Sequence, residues 1–217
     1  MKKDLTQMVF ILDMSGSMYD LRRDTIGGFN SLIEEQKKEP GDALVTTALF
    51  DDRYILLHDG VNIKDVGEMT AKEYAPCGMT ALLDAVGKTV NLVGQRLADM
   101  PEEERPEKVI VTIVTDGMEN ASEEYDLLTV RDMIKHQREK YSWIFTFIGA
   151  DIDTERVGGN LGIDPKLTKG YTKSGAGAQS VYTVTSQAVS LTRSVEASNL
   201  TNFATIDSLS SILDEVE

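Results

Sequence analysis

Four short runs of apolar and β-branched residues dominate the chain: Met8 to Leu12, Leu44 to Phe50, Val109 to Thr115 and Trp143 to Ile148. A strand with one wet face alternates apolar and polar side chains. Runs without alternation belong to strands covered on both faces, as in a parallel sheet between two helix layers. The segments between them carry helical spacing. Ile26, Phe29 and Ile33 form a stripe on a helix from about Asp20 to Lys38, stopped by Pro40-Gly41. Leu82, Ala85, Val86 and Val90 do the same from Thr80 onward, and a further helix over Tyr125 to Glu139 has Leu128, Met133 and Ile134 inward. Strand and helix in alternation predict a doubly wound α/β domain, a mostly parallel sheet flanked by helices. Asp51-Asp52-Arg53, lying between Phe50 and the run Tyr54 to Leu57, reads as a hairpin turn that adds one antiparallel edge strand.

After Ala150 the pattern thins to a short helix over Thr154 to Leu161, a last strand over Leu167 to Tyr171 and a helix over Ala176 to Ala197. The chain of 217 residues suits one large domain over 1–198 with a tail over 199–217. In that tail Ile206, Leu209, Leu213 and Val216 have helical spacing, which favours a short helix docked on the domain over a partner-binding segment.

Charge narrows the partners. With 36 acidic against 22 basic residues the formal charge is -14, which repels nucleic-acid phosphates and anionic membrane surfaces. There is no apolar stretch near the length of a membrane span, and Met1-Lys2-Lys3-Asp4 is followed by a strand rather than a secretory core. Cys77 is the only cysteine, so no internal disulfide forms. These features lead us to expect a soluble, cytoplasmic protein with neither nucleic acid nor membrane as partner.

In a doubly wound sheet, ligands bind beyond the carboxyl ends of the strands, where the winding direction reverses. Asp13, Ser15 and Ser17 follow the first strand there, in a loop loosened by Gly16. Asp116, in Thr115-Asp116-Gly117, follows the Val109 run at the same edge. Thr80, in Cys77-Gly78-Met79-Thr80, opens a helix, either as its N-cap or with its hydroxyl toward the crevice. Two carboxylates and three hydroxyls, with no thiolate or imidazole beside them, make a hard-oxygen set suited to Mg²⁺ or Mn²⁺ rather than Zn²⁺.

Asp-x-Ser-x-Ser at Asp13, Ser15 and Ser17, the threonine Thr80 and Thr-Asp-Gly at Asp116 together resemble the metal-ion-dependent adhesion site (MIDAS) of von Willebrand factor type A domains. The positions match in type and order, within an α/β pattern covering roughly residues 5–195. The resemblance implies that the serines and the threonine bind a divalent cation directly or through water, with the aspartates in the inner or outer shell. It also implies that a Glu or Asp of a protein partner takes the remaining vertex. On that reading the chain is a metal-dependent protein-binding module without catalysis, working in an intracellular assembly by analogy with intracellular members of the family.

Other readings are weaker. Asp13, Ser15 and Ser17 would also suit a turn with local side-chain bonds. Gly87-Lys88-Thr89 has Leu82 where a phosphate loop needs glycine and lies in a helical pattern. A phosphatase of the haloacid dehalogenase type would carry an acid where Ser15 stands. His58 and His136 read as surface residues, Cys77 as a bystander, and Asp51 and Asp52 as turn residues. Glu119 and Asn120 are candidates for the rim of the crevice. The alternative function is a metal-dependent hydrolase or phosphatase using the same cation.

Overall fold

In the computed structural model, which describes residues 1–216, all four runs are strands of a single sheet. The strands are β1 (Lys2–Asp13), β2 (Asp42–Phe50), β3 (Tyr54–Asn62), β4 (Pro106–Thr115), β5 (Ile144–Ala150) and β6 (Thr168–Tyr171). They lie in the order β3-β2-β1-β4-β5-β6. Every neighbouring pair is parallel except β2 and β3, which form the expected antiparallel hairpin through Asp51 to Arg53. Winding runs outward from β1 through β2 and then, from β4, outward the other way. The reversal therefore falls between β1 and β4, whose register pairs Leu12 with Val114.

The helices are α1 (Arg22–Gln36), α2 (Leu82–Asp99), α3 (Leu127–Tyr141), α4 (Thr154–Asn160), α5 (Gly175–Ser194) and α6 (Phe203–Leu213). α1 packs along α5, and α2 beside α3. β1 shows that these pairs cover opposite faces. The Phe10 ring meets Phe29 of α1 edge to face at 5.6 Å, while Gln7 accepts a hydrogen bond from Arg96 of α2 at 2.8 Å. Residues an odd number apart on a strand point to opposite sides. Met8 through Leu12 are accordingly all buried, which is why the run lacks alternation. α6 packs on α5 and buries Leu209 and Leu213, with Lys166 holding Asp207 at 2.5 Å. Among the described residues no helix is long and apolar enough to cross a membrane.

Three local expectations are corrected. A 3-10 turn over Gly16–Leu21 precedes α1, which starts at Arg22 rather than near Asp20. Leu128 points outward at 69% exposure, because the inward stripe of α3 runs through Val130 and Ile134. His58 is half-buried rather than a surface residue: its ring stacks on Phe29 at 6.4 Å and Nδ1 meets the Thr47 hydroxyl at 3.0 Å.

The contact between α1 and α5 depends on one glycine. A Cβ on Gly28 would stand 2.4 Å from Cδ2 and 3.0 Å from Cβ of the buried Tyr182, whereas one on Gly27 would meet nothing within 4 Å. Gly28→Ala is expected to cost about 1–3 kcal/mol by overpacking. Gly27→Ala should gain about 0.5–1 kcal/mol, as an exposed helix glycine does when replaced. Urea unfolding midpoints of the two variants should move in opposite directions, and a shift of the same sign would mean that the helices do not touch at Gly28.

Candidate metal centre

At the carboxyl end of β1, Asp13 is fixed on three sides. Thr115 Oγ1 donates to its Oδ2 at 2.5 Å, the Ser15 backbone N–H donates to its Oδ1 at 2.7 Å, and the buried Tyr74 hydroxyl donates to its backbone oxygen at 2.6 Å. Burial pushes the Tyr74 phenol well above its ordinary pKa, so it remains a donor. Burial also pushes the Asp13 carboxyl up to about 6, with the Thr115 and Ser15 hydrogen bonds opposing the shift and the Asp116 charge adding to it. An ionised Asp13 is therefore a desolvated negative charge.

The loop after β1 continues with Ser15 and Ser17, whose hydroxyls are 3.0 Å apart. Ser17 Oγ then donates to Asp116 Oδ1 at 2.5 Å, joining this loop to the end of β4. Backbone bonds tie the same loop to the segment before α2: Cys77 N–H donates to the Met14 oxygen at 3.0 Å and Gly16 N–H to the Gly78 oxygen at 3.2 Å. Thr80 is buried, and its hydroxyl lies against Gly117, where an added Cβ would come within 2.7 Å of Oγ1. The structure thus brings the segments carrying all five residues singled out from the sequence together beyond the carboxyl ends of β1 and β4.

Thr80 is not the N-cap of α2; that position belongs to Ala81, which makes no side-chain cap. The first amides of α2 are satisfied from the loop after β4 instead. Leu83 N–H donates to Glu119 Oε2 at 2.9 Å and Asp84 N–H to the Ser122 hydroxyl at 3.0 Å. Asp84 reciprocates, its carboxylate accepting from the backbone N–H groups of Glu123, Glu124 and Tyr125. Asn120 Oδ1 accepts from Thr80 N–H at 2.9 Å, and Asn120 N–H donates to the Thr80 oxygen at 3.0 Å. Glu119 and Asn120, the candidates for the rim, thus also brace loop against loop.

Asp116 stands apart from Asp13, whose two carboxylate oxygens both accept hydrogen bonds. The Asp116 side chain is 0% exposed and its Oδ2 has no hydrogen bond, yet the Lys173 ammonium stands 2.8 Å from it, an ion pair without hydrogen-bond geometry. The crevice therefore already holds a cation against a carboxylate oxygen. Among the described residues there is no group of three or more His, Cys, Asp and Glu side chains placed to hold a metal. A metal here would rest on two carboxylates and neutral hydroxyls, a set that fits a hard dication. Tyr74, Asp84, Thr115 and Lys173 escaped the sequence reading. Thr115 sits within the Thr-Asp-Gly triplet and was the one with a visible cue.

The architecture is shared by solved structures. Proximal thread matrix protein 1 from the mussel byssus superposes with a TM-score of 0.59 at 15% identity, over 86% of this chain and 46% of its own. A von Willebrand factor type A protein from Catenulispora acidiphila superposes with a TM-score of 0.56 at 12% identity, over 83% and 42% of the two chains. The fold is that of a von Willebrand factor type A domain. A manganese-loaded TRAP protein from Plasmodium vivax also superposes, with a TM-score of 0.56 at 16% identity over 83% and 73%. The mussel protein has been solved with zinc in its MIDAS motif. This chain spans less than half the length of the mussel protein, and at these identities the likeness to von Willebrand factor type A structures speaks for the fold. No protein-family model and no curated protein matches the sequence.

Proposed function

We propose that the chain is a divalent-metal-dependent protein-binding module. Asp13, Ser15, Ser17, Thr80 and Asp116 hold one Mg²⁺ or Mn²⁺, and a Glu or Asp of a protein partner completes the coordination. The observation that carries this reading is the meeting of three loops around a buried oxygen of Asp116 that is left without a hydrogen bond and held against a cation. When bound, the dication supplies a positive vertex for an acidic side chain. Asp13 and Asp116 offset its charge, Ser17 orients Asp116, and Thr80 closes the third side.

A protein partner also fits the surroundings. Tyr19, Met79 and Met118 are exposed large apolar side chains, one on each crevice loop and each within two residues of a proposed ligand. Tyrosine and methionine are enriched at protein interfaces. The charge of -14 disfavours nucleic acid and anionic membranes. We read the module as non-enzymatic, since His58 lies on the edge strand β3, paired with Thr47, and His136 lies on α3, so neither histidine stands beside the proposed ligands as a base. The free thiol of Cys77 suits a reducing compartment, and we place the protein in the cytoplasm as part of an intracellular assembly.

Two measurements test the reading. Titration calorimetry of the full chain with Mg²⁺, Mn²⁺ and Zn²⁺ should give one site per chain, and no binding of any of them would end the proposal. A pull-down from native cytosol in Mg²⁺ and again in EDTA should lose its partner with the chelator. Gly117→Ala probes the geometry, because the added methyl must push Thr80 Oγ1 out from 2.7 Å. Mg²⁺ affinity should fall about 10-fold, as when the support of a metal ligand is lost, with the fold intact by circular dichroism.

A further inference from the structure

Lys173 lies between β6 and α5, outside the set of proposed ligands, and its side chain is 28% exposed. Among the described residues its one ion pair is with Asp116, whose other oxygen already accepts from Ser17. The ammonium thus faces the one oxygen of the crevice carboxylates that no hydrogen bond uses. A buried carboxylate oxygen left alone is costly, and an ammonium at 2.8 Å offsets that cost. A dication approaching the same oxygen meets a like charge on a short tether. Ser174 caps α5 by accepting from Gly177 N–H at 3.0 Å, so the helix start is held independently of the lysine. The flexible stem of Lys173 is able to swing outward to water without unseating α5.

We propose that Lys173 is a tethered counter-cation for Asp116 that a divalent ion must displace, so that this residue sets the metal affinity of the crevice. The inference rests on the metal-binding reading of the site. An interaction made only in the metal-free state lowers metal affinity by the factor with which it favours that state. The same contact stabilises the metal-free fold, so affinity and stability are coupled with opposite sign.

The test uses the full chain with Lys173→Met, which keeps the stem and removes the charge, and Lys173→Arg, which keeps the charge. Lys169→Met, whose partner is Asp214, controls for the loss of one positive charge elsewhere. Calorimetric titration with Mg²⁺ should show Lys173→Met binding about 10-fold tighter than wild type, within the usual range of such couplings, while Lys173→Arg and Lys169→Met stay within about 2-fold. In EDTA, Lys173→Met should melt below wild type, and saturating Mg²⁺ should close the gap. Metal binding by Lys173→Met alone would also support the proposal. Equal or weaker binding by Lys173→Met, with wild type still binding, overturns the proposal and leaves the metal site standing. No binding by either protein overturns both.

Discussion

Asp116→Ala is expected to weaken Mg²⁺ binding by about 100-fold or more, beyond the 10- to 100-fold typical when only an outer-shell partner is lost. The reason is the division of labour between the two carboxylates. Asp13 spends one oxygen on Ser15 N–H and the other on the Thr115 hydroxyl, whereas Asp116 spends only Oδ1, on Ser17. The substitution removes the oxygen free of hydrogen bonds and also the acceptor that orients Ser17. Lys173 loses its counter-ion but reaches water, so the fold should survive by circular dichroism. The partner pull-down with this variant in Mg²⁺ should match wild type in EDTA. An affinity within about 3-fold of wild type would show that the cation does not sit at Asp116.

Asp13→Asn should do something less intuitive: stabilise the metal-free protein. The folded-state pKa of Asp13 is raised from its ordinary value of 3.8 to about 6, chiefly by burial. Between those values the folded chain binds a proton that the unfolded chain has released. Stability from this group is therefore present at low pH and lost as pH rises through about 4 to 6. A shift near 2 units corresponds to about 3 kcal/mol, an upper figure for what a neutral amide recovers above that window. The Thr115 hydroxyl is able to rotate and accept from the new amide, which keeps that contact. In EDTA at pH 8 the variant should be more stable than wild type by up to about 3 kcal/mol, and the difference should vanish near pH 4. Mg²⁺ should raise the melting temperature of wild type and leave the variant unmoved. A gain of the same size at both pH values would assign the effect to packing rather than charge. Such a result fits the usual exchange of stability for function at a binding site.

What the sequence made legible follows from what each signal reports. Continuous apolar runs report burial on both faces, so the strands were found, although β1 begins at Lys2 rather than Met8. Lys2 through Asp4 are exposed, and Lys2 extends the strand by pairing with Pro106 across a register irregularity, to which apolar spacing is blind. Helix starts depended on distant partners. The amides of α2 are capped from Glu119 and Ser122, so the threonine that looked like a cap turned instead to the crevice. Helical spacing placed the Val130 and Ile134 region of α3 but assigned Leu128 to the wrong side, since a stripe read from three residues leaves the rotation of the helix loose. The five oxygen donors drew notice because Asp13, Ser15, Ser17 and Asp116 lie at or just beyond the ends of strands and Thr80 just before a helix. Lys173 was not, because only the crossing of the β6 connection toward β4 brings it to Asp116.

The two borders of the sheet have a consequence for how this chain meets others. β3 departs from regular register at Val45/Thr47 and again at Thr47/Ala48, and Gly60 within it adopts φ +62°. On the opposite side β6 is only four residues long and contains Gly170. Irregular or short outer strands make poor templates for an incoming extended peptide, and natural proteins use them to discourage end-on polymerisation. Recruitment by annexing a foreign strand, and fibril growth by the same route, are thereby disfavoured on both flanks of the molecule.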